Sequence, residues 1–145
     1  MKNLTGSIFT YIALIGVFAF GLTYLLKPSF MPYQAEAVEM SWEEVPTNFQ
    51  YLIRTYMIAA SGGWLALGLV FFFLQNKFNK NREDWIPYLI LVSGLIFGII
   101  SIYAALNLKM NTPANAPVMP IAGILGTLIV GFFFNIRYGK ITIPS

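Results

Sequence analysis

The sequence predicts an all-α integral membrane protein, a four-helix bundle forming one domain over residues 1–145. Three observations predict it. The chain is 57% hydrophobic. Only 10% of it is charged, against about 25% in a typical soluble domain, so water has too few charged groups to solvate. The apolar residues also fall into four runs of the right length. A bilayer core about 30 Å thick needs roughly 20 helical residues rising about 1.5 Å each.

The first run covers residues 7–26, SIFTYIALIGVFAFGLTYLL, and stops before Lys27 and Pro28. Lys2 precedes it, and Ala35-Glu36-Ala37 imitates a signal cleavage site. A signal sequence, however, carries an apolar stretch of only about 7–15 residues, so a retained span is expected. The second run covers about 49–74, the third 85–106 and the fourth 118–136. Small residues recur in them at membrane-packing intervals. Gly94 and Gly98 make a GxxxG, Gly123, Thr127 and Gly131 share one face, and Ala59, Ser61, Gly62, Gly63 and Ala66 thin the middle of the second span. Such residues let backbones approach closely, and packing between the spans of one chain is expected rather than a dimer seam. Pro113, Pro117 and Pro120 stiffen the third loop, the last at a position suited to a helix's first turn.

Charge orients the helices. Lys2, Lys77, Lys80, Arg82, Arg137 and Lys140 fall on one side of the membrane, and only Lys27 and Lys109 on the other. Basic residues gather on the cytoplasmic side, so both termini are expected there, with the tail IRYGKITIPS on the inner surface. The net charge of +3 then reads as an orientation signal, and no nucleic-acid partner is expected. Tyr24, Tyr33, Trp42 and Tyr51 suit the outer interface, and Trp85, Tyr88 and Tyr138 the inner one.

The first external loop contains FMPYQAEAVEMSWEEVP at residues 30–46, with four of the chain's six carboxylates: Glu36, Glu39, Glu43 and Glu44. SWEE has capping-box spacing, with Ser41 as cap, Glu44 reaching back, and Met40 and Val45 at the staple positions. TNFQ offers a second cap in Thr47 with Gln50. A short interfacial helix, or a single turn, is expected to feed into the second span, with Glu43 and Glu44 at its positive end and Met40 and Trp42 on its apolar side. Arg54, inside the second span, recurs with Ser61 and Gly68 at intervals of seven, a face expected to point into the bundle. A charge in a span is costly without a partner, so two readings stand for Arg54: it pairs with one of the four acids and draws the loop over the bundle as a lid, or it snorkels to the headgroups. Lys109 is expected to take a further carboxylate, tying the external loops together.

The chain has no cysteine and no histidine. That removes disulfides, thiol chemistry, haem and zinc sites with histidine, and the commonest general base near neutral pH. No phosphate loop, catalytic triad or metal motif stands out, so no catalytic residue, cofactor or metal is expected. The candidate polar or ligand-contacting residues are Arg54, Glu36, Glu43, Glu44, Ser61, Trp64 and Tyr103. Trp64 lies mid-span, away from either aromatic belt, as core packing or as a cavity wall. Tyr103, one turn from Asn107, is expected in an outer polar layer.

SGGWLALGL at residues 61–69, set in four compact spans with a short N-terminus, resembles small bacterial membrane proteins of the DoxX-like kind, and FMPYQAEAV at 30–38 is similar to external loops of uncharacterised bacterial proteins of this size. The resemblance implies a four-helix bundle in the bacterial inner membrane, with some members acting as accessory subunits, and supplies no catalytic residues. The leading expectation is a non-enzymatic accessory or scaffold subunit binding lipid, another membrane protein or a second copy of itself. The alternative is a small transporter or carrier of an apolar ligand, a quinone or lipid, with a cavity near Arg54 and Trp64.

Overall fold

Residues 4–139 of the protein are described by a computed structural model. Five α-helices and one 3-10 turn account for its regular structure, with no strand among the described residues. Four of the helices are long and apolar enough to cross a membrane: α1 (Leu4–Leu26), α3 (Thr47–Asn81), α4 (Trp85–Asn111) and α5 (Val118–Gly139). The short α2 (Pro32–Val38) lies in the first connection, followed by the 3-10 turn Trp42–Glu44. Large apolar side chains cover the outside, among them Ile15, Tyr56 and Ile100, as a lipid-facing surface requires. Lys2 and the tail from Lys140 onward, with the side chain of Tyr138, lie outside the described residues.

α1 packs against α3 and α5, and α5 against α4, while α3 and α4 touch least. The bundle is therefore a ring in the order α3, α1, α5, α4, weakest between its first and last members. Gly6 and Thr10 near the start of α1 meet Asn135 and Gly131 near the end of α5. The start of α1 and the end of α5 thus share one end of the bundle, here the terminal end. The connection before α3 and the one between α4 and α5 form the loop end.

α3 buries Met57, Ser61, Trp64, Gly68, Phe71, Gln75 and Phe78. These alternate in steps of four and three, the seam spacing of left-handed helix packing. The same periodicity explains why α3 continues about two turns beyond the expected stop near residue 74. Gln75 and Phe78 are 0% and 1% exposed, so they extend the buried seam through a stretch whose other residues are polar. The helix ends where Arg82 takes the left-handed conformation, φ 55°, and its N–H bonds to Phe78 O at 2.9 Å, a closure usually given to glycine.

The small residues divide into two groups. A Cβ on Gly94 would overlap Leu128, one on Gly98 would meet Leu125 at 3.1 Å, and one on Gly68 would meet Phe18 at 3.3 Å. The GxxxG is therefore the α4–α5 seam of this chain, as expected. Gly62 and Gly123 instead have open space where a Cβ would stand, so no neighbouring helix uses them for close approach.

In the first connection, the Ser41 N–H donates to Glu44 Oε2 at 2.7 Å, the expected reach-back of the capping box. The second cap differs from expectation. α3 is capped by Pro46, whose carbonyl accepts from Phe49 N and Gln50 N, and Gln50 Nε2 donates to Trp42 O and Val45 O rather than serving Thr47. Proline's fixed φ preorganises that start. The staple is also incomplete. Val45 is buried, but Met40 stays half exposed, and Trp42 packs edge-on against Phe30 with centroids 4.9 Å apart.

Candidate functional site

A cavity of about 450 Å³ lies at the loop end. Its walls come from every helix. α1 gives Phe20 and Tyr24, α2 gives Tyr33 and Gln34, α3 gives Ile53, Ala60 and Trp64, α4 gives Ser101, Ala104 and Ala105, and α5 gives Ile121. Trp64 is fixed on two sides. It stacks on Phe20 at 5.2 Å and takes Phe97 edge-on at 4.6 Å. Trp64 is buried in the core and also lines the cavity, so it fits both readings the sequence left open for it. α3 and α4 line the space with small side chains, Ala60 and Ala104, both exposed.

No charged side chain lines the cavity. The Tyr24 and Tyr33 hydroxyls hydrogen-bond to each other across it. Burial above all, then the neighbouring Tyr24, pushes the Tyr33 phenol far above its usual range. Gln34 accepts from the Met31 N–H through Oε1 at 2.8 Å, which leaves its carboxamide N–H groups as donors. The Ser101 hydroxyl is turned back onto Phe97 O at 2.8 Å, the usual inward bond of a spanning-helix serine.

Arg54 does not line the cavity and does not pair with an acid. Its Nη1 donates to Tyr24 O at 2.9 Å and its Nη2 to Leu25 O. α1 carries no basic residue in its own last turn, and its final carbonyls are unsatisfied by helix geometry. A cation at a helix C-terminus meets both the carbonyls and the dipole's negative end. The expected salt bridge with Glu36, Glu39, Glu43 or Glu44 is absent because α1's end takes the guanidinium first. The one ion pair among the described residues joins Lys77 and Glu83 at 3.2 Å.

The acids have other placements. Glu36 accepts the Asn115 N–H at 2.7 Å, so the two loop-end connections are tied together, through a backbone amide rather than through Lys109. Glu44 closes its capping box, and the Ser41 bonds hold its carboxyl below the usual range. Glu43 and Glu39 are exposed, and Glu39 stands in the left-handed conformation at φ 52°. Ser61 is buried and donates to Ile58 O at 2.6 Å. Tyr103 is 69% exposed and Asn107 bonds to Asn111, so the expected outer polar layer between them does not form.

Sequence reasoning missed a second polar constellation, at the terminal end. Ser7 Oγ donates to Asn79 Oδ1 at 2.6 Å, Gln75 Nε2 donates to Ser7 Oγ and Asn79 Oδ1, and Tyr11 OH donates to Asn76 Oδ1 at 2.6 Å. Asn135 Nδ2 reaches Thr10 Oγ1 and Gln75 Oε1, joining α5 to the same network. Gly6 is what lets Asn135 in, since a Cβ there would collide with its side chain. The signal was present. Extending the interval of Arg54, Ser61 and Gly68 by seven more residues lands on Gln75. Between the two constellations lies a layer of apolar side chains around a void of about 30 Å³, lined by residues such as Leu14, Val17, Phe71 and Leu128.

No protein-family model matches the chain, and no curated protein or solved structure matches it either.

Proposed function

We propose that this is a non-enzymatic, multi-pass protein of the bacterial inner membrane that binds an apolar ligand, a lipid or a quinone, at Trp64. The cavity of about 450 Å³ carries this reading. Its size falls within the roughly 300–1,000 Å³ of small-molecule sites, and its apolar walls with a few polar groups are what such sites have. The resemblance to DoxX-like membrane proteins belongs to the same proposal. So does the orientation, with both ends cytoplasmic and the cavity toward the outer face, which rests on the distribution of Lys and Arg.

Native mass spectrometry of protein released gently from its own membrane tests the binding. An apolar adduct is expected, and it should be lost in Ala104→Phe, a filling change at an exposed position. A preparation with no adduct, or one retained in full by Ala104→Phe, would count against the cavity as the binding site. Orientation is tested with cysteines placed at Ser41 and Lys80, in a background that has none. Impermeant reagent should reach only the first from outside intact cells.

The accessory-subunit reading has its own observation. Ala59, Gly62, Gly63 and Ala66 are all exposed on α3, and Gly62 has open space beside it, as a seam awaiting a partner helix would. Crosslinking from a cysteine at Gly62 in native membranes should then yield one defined adduct, and a diffuse smear would remove the support.

A further inference from the structure

The polar groups facing the cavity can be counted. Two phenol hydroxyls carry two hydrogens, and the Tyr24–Tyr33 bond uses one of them. One O–H therefore remains to donate. Gln34 adds its carboxamide N–H groups, since its oxygen is held by the Met31 N–H. Ser101 is turned onto Phe97 O. What the cavity offers an occupant is thus chiefly hydrogen-bond donation, from neutral groups.

Charge is excluded on the same accounting. The nearest guanidinium in sequence to the cavity wall, Arg54 beside Ile53, spends both terminal nitrogens on the carbonyls of Tyr24 and Leu25. No lysine or arginine lines the space. An anionic head would lose its water without gaining a counter-charge, an expensive transfer. A purely hydrocarbon occupant would leave the phenol and carboxamide donors facing it unbonded, which also costs.

We infer, resting on the ligand-binding reading above, that the cavity selects an uncharged membrane-soluble molecule whose head carries a carbonyl oxygen. The Tyr24–Tyr33 pair and Gln34 donate to that oxygen, and the apolar remainder lies against Trp64 and Phe20. A tail too long for the cavity leaves past Ala60 and Ala104, both of them exposed lining residues.

Quenching of Trp64 fluorescence tests this, using protein in nanodiscs with Trp42→Phe and Trp85→Phe so that one indole remains. The probes carry bromine on the chain: a diacylglycerol, a fatty acid held as its anion at pH 8, and a bromoalkane of equal length. A quinone with a short tail serves as the ring-ketone probe. The diacylglycerol or the quinone should bind tightest, and whichever does identifies the source of the carbonyl. The combined Tyr24→Phe and Tyr33→Phe variant should weaken that ligand by about fivefold or more, as loss of a hydrogen bond does. The same variant should leave bromoalkane binding unchanged, which also shows that it is folded. Equal binding of the fatty acid anion overturns the inference, as does a phenylalanine variant with undiminished affinity for the carbonyl ligand. If no probe, the bromoalkane included, quenches Trp64, the cavity itself is not a binding site and the underlying reading fails with it.

Discussion

Arg54→Ala should destabilise the bundle by about 2–4 kcal/mol, and the loss should trace to α1 rather than to the acidic loop. The side chain makes two charge-assisted bonds, to Tyr24 O and Leu25 O. Each such bond contributes about 1.5–3 kcal/mol, and neutralising the dipole at the end of α1 adds about 0.3–1 kcal/mol. Arg54 is only half-buried, so water and headgroups recover part of the loss in the variant. Arg54→Lys should fall between, because an ammonium has no planar fork with which to hold two adjacent carbonyls. The assay is reversible unfolding in mixed micelles with increasing denaturing detergent, followed by helical ellipticity. Double-mutant cycles of Arg54→Ala with Glu43→Gln and with Glu44→Gln should give coupling below about 0.5 kcal/mol, the range of independent sites. A near-neutral Arg54→Ala would refute the capping role. Coupling above about 1 kcal/mol to either acid would reinstate the salt bridge.

Gly94→Ala should cost about 1–3 kcal/mol through the overlap with Leu128, whereas Gly62→Ala should be neutral or stabilising by up to about 1 kcal/mol from helix propensity. Micelle unfolding of the two variants side by side checks the contrast. Gln75→Ala removes the residue that bonds to Ser7, Asn79 and Asn135 and should cost about 1–2 kcal/mol, with faster amide exchange confined to the terminal ends of α1 and α5. Glu83 receives Asn81 Nδ2 and Trp85 Nε1 and pairs with Lys77, and those contacts, Asn81 first, hold its pKa below the ordinary value. A depressed carboxylate adds stability above its unfolded pKa, and that stability is lost as pH falls through the folded one. Acid titration should therefore loosen the α3–α4 connection below about pH 4.5, visible as a change in Trp85 emission that Glu83→Gln abolishes.

Span number and span length were legible because they rest on a solvent constraint that acts on every residue at once. The ends were less so. A hydropathy reading stops at Leu74, where the residues turn polar, yet α3 runs on to Asn81 because seam periodicity outlasts apolarity. The stop concealed the terminal-end network, whose α3 members Gln75, Asn76 and Asn79 all lie beyond it. Arg54 was picked out correctly as a charge needing a partner, but proximity in sequence pointed to the acids at residues 43 and 44. The partner it found was a helix end nearly thirty residues earlier. A feature of α1 announced that need: a span whose last turn, LTYLL, lacks a cation must draw one from elsewhere or leave its carbonyls to the headgroups. The cavity was only half legible. Trp64 was marked by its depth, while Tyr24, Tyr33 and Gln34 come together only through the angle at which α2 returns over the bundle.

The apolar layer between the two constellations weighs against conduction along the bundle axis. The void there holds about 30 Å³, room for a water by volume, but apolar cavities of this kind stay dry. The loop-end cavity and the terminal-end network are thus joined by no polar path through Leu14, Val17, Phe71 and Leu128. An ion or proton moving along the bundle axis would meet that layer with no group to solvate it, at the cost charges incur in hydrocarbon. An uncharged molecule does not face the same barrier. The terminal-end network fits a structural role on this geometry. Its hydrogen bonds join α1, α3 and α5 at the terminal end. Under the binding reading proposed above, the network holds the helices together at the terminal end and leaves the loop-end cavity, which shares Trp64 and Ile121 with the apolar layer, to the ligand.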